Sequence, residues 1–86
     1  MDINDTIAIV KKKLHNHIDI KNINIEDKSF LHKNHTGHEE GKFHLKITIE
    51  SPELKKMNKI ESTKKVYKVL DKELKELIHS IQILIN

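Results

Sequence analysis

Eighty-six residues with no cysteine describe one small domain that must fold on its apolar core, without disulfides or thiolate metal sites. The net charge is +3, yet all sixteen basic residues are lysine, a point charge that suits phosphate but lacks the arginine fork that reads bases. Lysine enriched together with isoleucine and asparagine is also what an A/T-biased coding sequence gives. No apolar run approaches the roughly 18–20 residues that cross a bilayer and no signal-peptide pattern opens the chain, so a cytoplasmic protein with no membrane partner is expected.

Ile3, Ile7, Val10 and Leu14 form one stripe of an amphipathic helix. Asp2 can cap its start, Lys11–Lys13 complement its C-terminal dipole, and Asn16, within His15-Asn16-His17, is the candidate for a left-handed cap. Ile18, Ile20, Ile23 and Ile25 alternate in two pairs whose phase slips at Lys21-Asn22, which predicts a strand with a bulge or bend there. Glu26 to Glu40 is polar and aperiodic, a long exposed loop, and residues 31–41 are expected to be mobile because two glycines and no apolar anchor lie between Leu31 and Phe43. Residues 43–50 then alternate strictly. Phe43, Leu45, Ile47 and Ile49 share one face, and His44, Lys46, Thr48 and Glu50 the other, which predicts a half-buried strand hairpinned to the first.

Ser51-Pro52-Glu53 starts a short helix that runs to about Met57, and Asn58 to Glu61 repeats the signal as a capping box. From Ile60 a long helix keeps Val66, Leu70, Leu74 and Leu77 on one stripe and Lys64, Lys68, Lys72 and Lys75 on the other. Ile78 to Ile85 closes the chain as a third strand with Ile81, Ile83 and Ile85 on one face. Its helical crossover from the second strand favours a parallel, right-handed placement. By parity His79 belongs with those isoleucines, as a partly buried residue. The sum is an α/β (α+β) domain spanning residues 1–86, three strands under two main helices.

His32, His35 and His38 are spaced for one helix face, but Gly37, Gly41 and Asn34 argue against helix there, so the spacing is a weak zinc signal. His15 and His17 end a helix and take no role. No nucleophile–base pair, acidic dyad or phosphate loop is present, which points away from an enzyme.

Four pieces of sequence carry a resemblance. HLKITIES at 44–51, KKVYKVLDKEL at 64–74, IHSI at 78–81 and DKSFLHKNHTG at 27–37 fall in order and in register across nearly the whole chain. Together they resemble the BolA-like family. The resemblance implies a class II KH-like fold, α-β-β-α-α-β, with a three-stranded mixed sheet and helices on one face. It implies a monothiol glutaredoxin partner, with glutathione, and a shared two-iron two-sulfur (2Fe-2S) cluster in iron–sulfur maturation or iron regulation. The family's metal ligands correspond to His79 and best to His35, with His32, His38 and His44 as rivals. Only histidines are on offer here, so the partner and its glutathione would bring the sulfur ligands. The alternative is a KH-like nucleic-acid-binding transcriptional or stress regulator using Lys56, Lys59, Lys64 and Lys65. The chain departs from the family pattern at Leu54 and Lys56, where a Phe-x-Gly is usual, and at Ser62-Thr63-Lys64, where Arg-His-Arg is usual, which reduces that alternative to weak, non-specific binding. A monomer or weak homodimer is expected.

Overall fold

The computed structural model describes residues 2–28 and 43–86; His32, His35 and His38, and the mobility expected of residues 31–41, lie outside the described residues. In chain order the elements are α1 (Ile3–His17), β1 (Asn22–Asp27), β2 (Phe43–Glu50), α2 (Pro52–Lys55), α3 (Lys59–Val69), α4 (Asp71–Glu76) and β3 (Ile78–Ile85). Three of the four described helix starts use the polar residue that the sequence offers them. Asp2 accepts the Asp5 N–H at 2.9 Å, Ser51 accepts the Leu54 N–H at 3.1 Å, and Asn58 accepts the Glu61 N–H at 2.8 Å. Ser51 also donates to the Asp19 carbonyl at 2.7 Å, so one hydroxyl both caps α2 and fixes the segment that leaves α1.

The sheet order is β1-β2-β3, with β1 antiparallel and β3 parallel to the central strand. This is the mixed sheet that the helical crossover requires. Leu45, Ile47 and Ile49 project from β2 into a core completed by Val10 and Leu14 from α1, Ile18 just after it, Ile25 from β1, Leu54 from α2, and Val66, Leu70 and Ile78. The helices therefore cover one face of the sheet, and the other carries Asn24, Glu26, His44, Lys46, Thr48, Ser80, Gln82 and Leu84.

Four local expectations are corrected. The α1 helix runs through His17 and ends on Ile18 in extended geometry (φ −134°), so Asn16 is not a left-handed cap. The chain leaves α1 in extended geometry with Ile18 buried in the core. The first strand spans only Asn22–Asp27, and Ile18 to Lys21 is the connection into it rather than a bulged strand. Ile60, expected on the buried stripe, is 69% exposed: it precedes Val66 by six residues, about 240° around a helix, while Ser62, Val66 and Leu70 repeat at four. Finally, the long helix is two. It bends at Leu70, which has no side-chain cap and sits fully buried while α4 begins on its far side.

Glu73 follows Val66 and Leu70 at helical spacing on the buried face, where Lys13 of α1 pairs with it at 2.8 Å. The Glu73 side chain is 9% exposed, so the pair ties the first helix to the last under partial desolvation. Lys13→Ala is expected to cost roughly 1–3 kcal/mol, because it leaves a nearly buried carboxylate without its counter-charge, and Glu73→Gln is expected to cost less. Urea unfolding of both variants checks this; a Lys13→Ala midpoint equal to the parent's would contradict it.

A second pair joins Glu53 of α2 to Lys65 of α3. The Lys65 hydrogen bond, and then the Asp19 backbone N–H at 3.2 Å, hold the Glu53 carboxyl below its ordinary pKa. A group with a lowered folded-state pKa stabilises the fold above its unfolded pKa and loses that contribution as pH falls through the folded value. Glu53→Gln is therefore expected to be less stable than the parent at neutral pH, with the difference closing well below pH ~4. A difference independent of pH, followed by thermal unfolding across that range, would contradict this.

Candidate functional site

The register between β2 and β3 contains one irregularity, at its N-terminal end. Phe43 lies opposite Ile78 but His44 lies opposite Ser80, so β3 carries one residue more than β2 over this step, and that residue is His79. An extra residue in a strand is left unpaired and re-aims the side chains beside it. Ile78, which strict alternation would turn outward, is buried at 1% exposure, and His79 is exposed. The parity argument that put His79 among the isoleucines fails at this bulge, because alternation holds only where pairing is one to one.

The consequence is a histidine pair at the heads of two parallel strands. The His44 and His79 ring centroids are 4.8 Å apart with the planes tilted by 56°. His44 is 6% exposed, and its Nδ1 shares a 2.7 Å hydrogen bond with the Ser80 hydroxyl. A hydrogen bond at one ring nitrogen fixes the ring's orientation. The backbone beneath is equally fixed: the His44 carbonyl accepts the Lys28 N–H at 2.7 Å, and the Phe43 N–H donates to the Leu77 carbonyl at 3.1 Å. One imidazole is thus rigid and inset, and the other stands exposed beside it. Among the described residues, no group of three or more histidine, aspartate or glutamate side chains could hold a metal ion. The pair supplies two nitrogen donors, and any metal there needs its remaining ligands from elsewhere.

Of the candidate ligands, then, His79 and His44 are brought together, while His35, His32 and His38 are outside the described residues. Ser80 is the residue that the sequence reading missed. It could have been found from its place opposite His44 once the parallel register was drawn. Of the lysines suggested for nucleic acid, Lys64 and Lys65 line a cleft of about 750 Å³ with Lys13, His17 and Lys68, Lys59 lines a cleft of about 320 Å³ beside β3, and Lys56 ends α2. Lys65 is moreover engaged with Glu53. Among the described residues, no helix is long and apolar enough to cross a membrane.

Comparison with known proteins agrees with this architecture. Among solved structures, the chain is similar to BolA1 from Arabidopsis thaliana, with a TM-score of 0.78, 24% identity, and coverage of 93% of this chain and 88% of that one. The BolA domain of SufE1 from Arabidopsis thaliana gives a TM-score of 0.77 at 24% identity, covering 92% and 87%. The solution structure of BolA1 from Mus musculus gives 0.73 at 18% identity, covering 92% of this chain and 62% of that one. At these identities the likeness speaks to the fold. A search of curated proteins found no match. The family profile described as BolA-like protein matches residues 14–86, from the last buried leucine of α1 through β3, and the chain belongs to the BolA-like family.

Proposed function

We propose that this chain is a non-catalytic adaptor that shares a two-iron two-sulfur cluster with a monothiol glutaredoxin, in iron–sulfur cluster maturation or iron regulation. The observation that carries the reading is the bulge at His79, which sets an exposed imidazole 4.8 Å from a second, Ser80-anchored imidazole at one end of the sheet. The donor set fits one end of such a cluster. Neutral imidazole is a good iron ligand, and histidine in place of thiolate raises a cluster's potential. With no cysteine in the chain, the sulfur ligands come from the glutaredoxin and its glutathione.

In this reading His79 would hold one iron position from a bulge whose flanking residues, Ile78 and Ser80, are paired with β2. The second histidine is either His44, which stands beside it, or His35, to which the family resemblance points. The protein's part would be to present the exposed His79 imidazole at the end of the sheet and leave room for the partner. Co-expression with a monothiol glutaredoxin tests the proposal: the two proteins should co-purify as a coloured heterodimer whose visible absorption disappears when glutathione is withheld. Co-purification without colour, or no association, would count against it.

A further inference from the structure

The two edges of the sheet differ in character. β1 ends in Glu26-Asp27 and is flanked by Lys21 and Lys28, charges of the kind that discourage edge pairing. β3 reads Ile-His-Ser-Ile-Gln-Ile-Leu-Ile, eight residues with no lysine, aspartate, glutamate, proline or glycine. It is the other edge of the sheet, with no described strand beyond it. Leu84 is 41% exposed on its outer face, and Ile81, Ile83 and Ile85 are only half-buried on its core face.

The direction of its backbone groups is fixed by one bond. The Asn86 N–H donates to the Ile49 carbonyl at 2.8 Å, so Leu84 and Gln82, in the same phase, also turn their backbone groups toward β2. Ile81, Ile83 and Ile85 turn theirs outward. These three residues are arranged symmetrically about Ile83, and all three side chains are the same.

We propose that β3 is a self-association edge, which pairs antiparallel with β3 of a second copy about a two-fold axis through Ile83. In that register Ile83 faces Ile83 of the second copy and Ile81 faces its Ile85, which satisfies the outward groups with roughly six backbone hydrogen bonds. On the core face isoleucine meets isoleucine in every row. The cleft formed by Leu54, Met57, Thr63 and Ile85 adjoins the edge and receives Ile81 of the second copy. On the outer face Gln82 faces Leu84 of the second copy. A second copy fits this edge because the edge is self-complementary: it carries no charge for an unlike partner to match, and its core-face pattern reads the same in both directions. The other edge, with Glu26 and Asp27, offers no such match.

Two consequences follow from the geometry. One strand pair buries less than the ~1,200–2,000 Å² of a standard interface, so the dimer forms at micromolar concentrations or above. Antiparallel pairing also sends the two His44–His79 pairs to opposite ends, about eight residues or roughly 26 Å apart along the strands, so both stay open.

Sedimentation velocity of the full chain from about 1 µM to 1 mM tests the proposal, with circular dichroism as the check on folding. The parent is expected to pass from monomer to dimer across that range. Gln82→Lys combined with Leu84→Lys sets lysine against lysine in two rows and should weaken dimerisation at least ~10-fold. Gln82→Lys combined with Leu84→Glu sets the introduced lysine against the introduced glutamate in the same rows and should restore it. A parent that stays monomeric throughout overturns the proposal, even if it binds some other extended segment. So does a dimer that the two double variants weaken equally, because the register then differs from this one.

Discussion

Ile47→Ala is expected to destabilise the protein by roughly 2–5 kcal/mol, the largest loss that a single truncation should produce here. Ile47 is fully buried in the central strand, with Ile25 opposite it on one side and Ile83 on the other. Removing its side chain withdraws apolar surface from the helix layer and leaves a cavity that the paired backbones on both sides prevent from collapsing. A domain of this size has only about 5–15 kcal/mol in all, so the variant should unfold at a much lower urea concentration. Leu84→Ala, on the outer face of the edge strand, should shift the midpoint far less. A loss under ~1 kcal/mol for Ile47→Ala would mean that the core is not organised around β2.

Much of this architecture is legible in the sequence because it rests on local patterns. The alternations in 43–50 and 78–85 return as strands with those bounds, and Ser51 and Asn58 act as the caps that their positions announce. What is not legible depends on residues distant in sequence. Glu73 looks like a solvated helix residue until Lys13, sixty positions earlier, is placed against it. Ile60 looks like core because it is apolar, and its helical phase overrules its chemistry. The site divides in the same way. His79 and His44 stand out by their place in motifs resembling the family's, but the face that His79 occupies is set by a bulge against β2. Strict parity within one strand carries no information about that bulge. The Ser80 contact depends on the same register.

His79→Ala is expected to abolish the cluster proposed to be shared with a monothiol glutaredoxin. The exposed imidazole sits at the end of the sheet where a docked partner could reach it, and its strand is already paired, so no described neighbour can move into its place without breaking the β2–β3 ladder. His44→Ala and His35→Ala separate the two candidates for the second ligand. The variant that removes the true second ligand should shorten the cluster's lifetime and reshape its spectrum, while the other leaves both close to the parent's. Ser80→Ala should have the smaller effect of freeing the His44 ring, on the order of 10-fold or less in cluster stability.

The most direct measurement is visible circular dichroism of the heterodimer reconstituted with a monothiol glutaredoxin and glutathione, because the signal arises from the cluster in its asymmetric protein setting. The account predicts a clear visible spectrum for the parent and none for His79→Ala, although the variant keeps its far-ultraviolet spectrum. An unchanged visible spectrum and cluster lifetime in His79→Ala would contradict the account and leave His79 a structural residue of the bulge.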